Sequence, residues 1–139
     1  MIQIPVTCAV IFEDQKVLCA LRSAQMSQSG FWEFPGGKVE DNESFLECLL
    51  REIKEELSID VQIHWPLSPA VFPYAEDKVV KLFPFVCSWI AQEISLLEHQ
   101  EVRWVGKEEL LHLNWAPADR PIVNEIVENW KFIQDKLGN

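Results

Sequence analysis

Apolar and β-branched residues dominate positions 2–12 and again 16–21, and the polar triplet Glu13-Asp14-Gln15 separates the two runs. That arrangement predicts a β-hairpin. A polar stretch over 23–30 leads into Phe31-Trp32-Glu33-Phe34-Pro35-Gly36-Gly37, where aromatics give way to a proline and two turn-permissive glycines. A strand entering a tight loop is expected there. Between positions 43 and 57, Leu46, Leu49, Leu50, Ile53 and Leu57 recur at helical spacing, with Asn42 available as an N-cap. This is the clearest helix in the chain. Strand-like runs follow over 61–64 and 71–74, then a polar turn at Glu76-Asp77-Lys78, a long apolar strand over 79–90 and a short strand over 101–105. Finally, Val123, Ile126, Val127, Trp130 and Leu137 share roughly one face of a helix predicted over 121–137.

The chain has 139 residues, of which 48% are hydrophobic, with six Trp and eight Phe. That is material for one well-filled core, and a single domain over 1–139 is expected. The formal net charge of −10 disfavours nucleic acid polymers and anionic membranes as partners. A solvated, solubilising surface explains most of the acidic excess, which is also compatible with an enzyme whose bound divalent cation reverses the field felt by a phosphate substrate. Cys8, Cys19, Cys48 and Cys87 contain no C-x-x-C pair and read as buried free thiols. They fit a reducing cytoplasm better than a disulfide framework or a zinc site. Met-Ile-Gln-Ile-Pro-Val at the start lacks the features of a signal peptide, and no segment is apolar for long enough to span a membrane. A cytoplasmic location is therefore expected.

Glu52, Glu55 and Glu56 lie at i, i+3 and i+4, so they project from one side of the predicted helix. Like charges at these offsets oppose helix formation by roughly 0.2–0.5 kcal/mol per pair unless a cation sits among them. Hard carboxylate oxygens suit Mg²⁺, with Mn²⁺ possible. The competing reading is a solvated acidic face relieved by Arg51 and Lys54, and the helix alone favours it. The setting reverses that balance. From Gly37 the chain reads Gly, five residues, Glu43, seven residues, then Arg51-Glu52-Ile53-Lys54-Glu55-Glu56-Leu57-Ser58-Ile59. This resembles the Nudix box, G-x5-E-x7-R-E-U-x-E-E-x-G-U with U aliphatic, at every fixed position but one. Ser58 stands where the box has glycine. The residue after a helix often turns left-handed, which costs a non-glycine residue on the order of 1 kcal/mol, so a small stability effect is expected rather than lost catalysis.

Trp32-Glu33-Phe34-Pro35-Gly36-Gly37-Lys38-Val39-Glu40 and Ala116-Pro117-Ala118-Asp119-Arg120-Pro121 are similar to segments of the MutT-like branch of that family. The resemblance implies an α/β/α sandwich with a mixed central β-sheet, a catalytic helix after a Gly-Gly loop and a C-terminal helix. It implies hydrolysis of modified or oxidised (deoxy)nucleoside triphosphates, of the 8-oxo-dGTP or cytidine type, to a monophosphate and pyrophosphate. By the same resemblance Glu52, Glu55 and Glu56 hold the metal, joined by the Gly37 carbonyl and by Glu98, although Glu98 reads equally well as a solvent-facing glutamate. Glu43 and Arg51 brace the carboxylates, and Glu52 is the candidate general base. Arg22 matches a phosphate-contacting position, and Lys38 beside the glycines has the same opportunity; either reads equally as an ordinary surface charge.

Asp119 corresponds to a base-reading position in the family, where an ionised carboxylate would favour a donor-rich edge such as that of cytosine or guanine. A raised pKa in an apolar pocket would let it donate too and widen the choice. Its competing role is as a cap for the helix near Pro121. Phe34, and with it Phe72 or Tyr74, could stack on a base or simply belong to the core. His64, His99 and His112 lack metal-ligand spacing and are assigned no role. Two other functions stay open: hydrolysis of another nucleoside diphosphate compound such as ADP-ribose, and nucleotide sensing without turnover. The sequence is silent on assembly and on the preferred sugar.

Overall fold

In the computed structural model, which describes residues 1–26, 29–90, 93–97 and 99–139, the order is β1 (Ile2–Glu13), β2 (Lys16–Leu21), β3 (Trp32–Glu33), β4 (Gly36–Lys38), α1 (Phe45–Leu57), β5 (Val61–Pro66), β6 (Ala70–Ala75), β7 (Lys78–Trp89), β8 (Glu101–Val105), α2 (Lys107–Leu110), α3 (Arg120–Glu128) and α4 (Trp130–Leu137). The hairpin between β1 and β2 turns on Asp14 and Gln15, both at positive φ (53° and 61°). Such a two-residue turn matches the right-handed twist of the paired strands. β1 then pairs in parallel with β7 along its length, from Ile2 opposite Lys78 to Phe12 opposite Ser88. The remaining strand pairings are antiparallel, so the sheet is mixed, in the order β3-β2-β1-β7-β5 with β4 on β1, β6 on β7 and β8 on β2.

Alternation along β1 divides the interior into two layers. Cys8, Val10 and Phe12 meet Ile122, Val123, Ile126, Trp130 and Ile133 of α3 and α4 on one face. Ala9 and Ile11 meet Leu49, Ile53 and Leu57 of α1 on the other. This is the expected α/β/α sandwich. Among the described residues, no helix is long and apolar enough to cross a membrane.

Several local expectations need correction. Ser44, not Asn42, caps α1: its Oγ accepts from the Glu47 N–H at 3.1 Å while Glu47 Oε1 accepts from the Ser44 N–H at 2.8 Å. This reciprocal pair satisfies two donors that the first helical turn leaves free, which Asn42, itself at φ 65°, does not do. Leu46 and Leu50 are 47% and 45% exposed, whereas Cys48 and Glu56 are buried. The helix is rolled toward β4, because Cys48 and Glu52 pack there as well as Leu49, Ile53 and Leu57 on the sheet. Gly36 and Gly37 form a strand rather than a tight loop, and neither has positive φ. They are needed for close approach: a Cβ on Gly36 would overlap the Thr7 carbonyl of β1, and one on Gly37 would overlap the Glu52 carboxylate.

The predicted C-terminal helix is two helices. Asn129, at φ −108° and ψ 19°, interrupts it, and its side-chain Nδ2 donates to the Glu125 carbonyl at 2.8 Å. Asn competes in this way for backbone acceptors and so breaks helices. The one-turn helix α2 had no periodicity by which to be read. Ser58 behaves as expected, in the left-handed region at φ 59° and ψ 33°, with its N–H donating to Lys54 O at 3.0 Å.

Candidate functional site

Arg51 is the hub of the acidic helix. Its Nε and Nη2 donate to the two Glu43 oxygens at 2.7 and 2.8 Å, and Nη1 donates to Glu52 Oε1 at 2.9 Å and Glu55 Oε2 at 3.2 Å. Nη2 also donates to the Lys38 carbonyl at 3.3 Å, tying α1 to β4. The fork geometry of guanidinium suits this two-oxygen grip on Glu43. Glu43, just outside the helix, has its pKa pulled down to about 2, first by the Arg51 hydrogen bond and then by the Glu40 N–H. Arg51 is pushed further up, chiefly by Glu43 and then by Glu52. Lys54 points elsewhere and meets Asp60 at 3.4 Å.

The three helix carboxylates differ in exposure. The Glu55 side chain is 60% exposed, Glu52 is 16% exposed and lies against Gly37, and Glu56 is buried. Among the described residues, no group of three or more His, Cys, Asp and Glu side chains is arranged to hold a metal ion as it stands. The Arg51 guanidinium bridges Glu52 and Glu55 instead. The chemistry of the donors nevertheless fits a hard divalent cation, since carboxylates and the Gly37 carbonyl are all oxygen ligands. That carbonyl lies on the β4 side facing α1, where the Cys48 thiol donates to it at 3.5 Å. Glu98 lies outside the described residues.

A cavity of about 340 Å³ opens beside β4, within the range of small-molecule sites. Phe34, Phe72 and Tyr74 give it an apolar wall, and Arg22, Glu33 and Asp119 a polar end. Phe34 is buried and stacks at a tilt on Trp115, with ring centroids 4.7 Å apart, so it serves the core and the cavity together. Asp119 stands at the N-terminus of α3 but makes no side-chain capping bond. Its Oδ1 accepts from the Phe34 N–H at 3.1 Å. Burial first, then the nearby Glu33 charge, pushes its pKa up to about 8 against the opposing pull of the Phe34 N–H and Arg22. Arg22 pairs with Glu33 at 2.5 Å. Lys38 is exposed and lies outside this cavity, in a second cleft of about 530 Å³ with Glu40, Asp41 and Glu52.

Two residues of this region were missed by sequence reasoning. Glu33 was absorbed into an aromatic strand, and only its polarity between Trp32 and Phe34 could have marked it. His99, dismissed for want of ligand spacing, is buried with Nε2 2.7 Å from Glu33 Oε2. The four cysteines are free and buried as expected. Burial raises the Cys8 pKa and pushes Cys87 up to about 12, which keeps those thiols protonated.

The family model for the NUDIX domain matches residues 2–126. The CTP pyrophosphohydrolase of Escherichia coli K12 is 36% identical over 126 residues, covering 88% of this chain and 90% of that protein. The 8-oxo-dGTP diphosphatase of Proteus vulgaris is 40% identical over 77 residues, covering 55% of this chain and 69% of that one. Among solved structures, the E. coli ORF135 protein superposes with a TM-score of 0.83 at 34% identity, covering 93% of this chain and 91% of that chain. A MutT protein from Methanosarcina mazei gives 0.83 at 26% identity, covering 94% and 96%.

Proposed function

Because the chain belongs to the Nudix hydrolase family, we propose that it cleaves a modified or oxidised (deoxy)nucleoside triphosphate, of the 8-oxo-dGTP or cytidine type, to the monophosphate and pyrophosphate. Mg²⁺ is the proposed cofactor, with Mn²⁺ able to replace it. The observation that carries the reading is the adjacency of two glycines: Gly36 lines the cavity, and Gly37 lies under the Glu52 carboxylate. A base in the cavity would therefore lead its phosphates toward the acidic helix. The names of the relatives support the substrate class.

In this reading the whole chain works as one domain, since α4 contributes Trp130 and Ile133 to the same core as Phe34. Glu52, Glu55 and Glu56, with Glu98 and the Gly37 carbonyl, would hold the cation. When bound, it would neutralise phosphate charge and make water easier to deprotonate. Arg51 and Glu43 hold the carboxylates in register, and Glu52 accepts the proton of the attacking water. The phosphoanhydride bond then breaks with pyrophosphate leaving. Arg22 faces the cavity and Lys38 the second cleft, and both are assigned to phosphate. Phe34, with Phe72 and Tyr74, supplies an apolar surface for the base. Burial raises the Asp119 pKa to about 8, which favours the protonated acid near neutral pH; in that form it both donates and accepts, which widens the range of base edges it can pair with. The free, buried thiols support a reducing compartment such as the cytoplasm.

The test is Mg²⁺-dependent pyrophosphate release from 8-oxo-dGTP, dCTP, 5-methyl-dCTP, CTP, dGTP and ADP-ribose, with Glu55→Gln as control. Turnover of one triphosphate class, lost in the control, is expected. Binding of nucleotide without product from any of them would overturn the catalytic reading in favour of a sensor.

A further inference from the structure

His99 lies between the polar end of the cavity and the buried side of α1. Its side chain is fully buried, with Nε2 2.7 Å from Glu33 Oε2 and Nδ1 4.0 Å from Glu56 Oε2. The chain on either side is fixed by backbone bonds, Leu97 N–H to Glu56 O at 3.1 Å and Gln100 N–H to Leu21 O at 2.9 Å. The ring is thus pinned between the helix that carries the acidic cluster and the strand that leads to Arg22. Glu33 has both oxygens engaged, Oε1 by Arg22 and Oε2 by His99. A carboxylate only accepts, so His99 Nε2 carries the hydrogen and donates it.

We propose that His99 is a positioning residue for substrate choice, holding the Glu33 carboxylate at the polar end of the cavity where, beside Asp119, it meets the base. The inference rests on the assignment of that cavity to the base. Arg22 alone leaves Glu33 on one long, multiply rotatable partner, free to swing about its last torsion. The second bond from a ring locked by its own burial removes that freedom. A side chain that merely filled space here would be apolar, since a buried imidazole between two carboxylates costs desolvation that packing does not return.

Gln places an amide N–H near the position of Nε2, whereas Asn reaches only that of Nδ1, so the two conservative variants separate the contact from burial and polarity. The measurements are kcat and KM across the triphosphate panel, and affinity for the nucleoside monophosphate without divalent ion, for His99→Gln, His99→Asn, Glu33→Gln, Asp119→Asn and the double variant His99→Asn/Glu33→Gln. His99→Asn should raise KM and the monophosphate Kd by roughly 10- to 100-fold, the loss of one charge-assisted hydrogen bond, and change the ranking of bases with little change in kcat. His99→Gln should restore most of the wild-type values, and in the double variant the two losses should combine to less than their product, because the amide at position 33 keeps one acceptor for His99 but loses the charge that strengthens the bond. Equal effects of Asn and Gln, an equal loss for every base, or effects that multiply in the double variant would overturn the proposal. If Glu33→Gln and Asp119→Asn themselves leave base preference untouched, the assignment of the cavity has failed. If they alter it and His99→Asn does not, only the role of His99 has failed.

Discussion

Burial raises the pKa of Asp119 well above that of an aspartate in water. Its pKa of about 8 in the fold compares with about 3.9 in an unfolded chain. Between those values the native state binds one more proton than the unfolded state, so stability falls as pH rises from about 4 to about 8. Asp119→Asn keeps an acceptor for the Phe34 N–H but has nothing to ionise. Urea denaturation at about pH 5 and about pH 8 should show wild-type stability declining between the two and a flatter profile in the variant. An unchanged slope would mean that Asp119 is ionised in the fold and reads donor-rich edges only. Glu43 works in the opposite sense. Its folded pKa is lowered to about 2, so its contribution is present above about 4.3, the unfolded value, and is lost as pH falls toward 2. Glu43→Gln should therefore be less stable than wild type at neutral and alkaline pH and converge with it as pH falls toward 2, as read by urea denaturation followed by circular dichroism at a series of pH values.

At the scale of elements, α1 explains which local features a sequence exposes. Its existence and end were legible because the spacing of Leu49, Ile53 and Leu57 is periodic and Ser58 interrupts the family pattern at a place where handedness matters. Its start and roll were not, because both depend on partners. Ser44 and Asn42 are each competent caps, and the choice is made by Glu47 three residues beyond Ser44. The buried stripe follows β4, which contributes no side chain at Gly36 or Gly37 for a pattern to register. The split at Asn129 is of the same kind: periodicity continues through Trp130 while one side chain diverts a carbonyl. Ser58 yields the prediction at this scale. Glycine carries no Cβ penalty at φ 59°, so Ser58→Gly should stabilise the fold by about 1 kcal/mol, read as a higher urea midpoint at constant m-value. Turnover should not change, since Ser58 donates only its backbone N–H to the helix. A lower midpoint would show that the Ser58 hydroxyl contributes more than its backbone strain removes.

For the whole molecule, legibility tracks sequence separation. The acidic cluster lies within one helical turn and could be read directly, whereas Phe34 and Asp119 are 85 positions apart and were connected only by resemblance. Glu33 and His99, 66 positions apart, were not connected at all, because nothing in either neighbourhood encodes the crossover that joins β2, β3 and the end of α1. The same distinction governs charge. A net charge of −10 is a property of the whole surface, while the repulsion that a cation could relieve is confined to α1, where Arg51 already offsets part of it. Screening by salt acts on the first, and specific binding on the second. A cation that binds only the folded state at about a hundred times its Kd adds about 2.7 kcal/mol, a rise in Tm on the order of 5–10 °C for a chain of this size. Mg²⁺ or Mn²⁺ should therefore raise Tm by that order in scanning calorimetry, NaCl at equal ionic strength should raise it far less, and Glu52→Gln should abolish the difference between the salts. Equal shifts from Mg²⁺ and NaCl in the wild type would return α1 to a solvated acidic face and remove the metal from the proposed reaction.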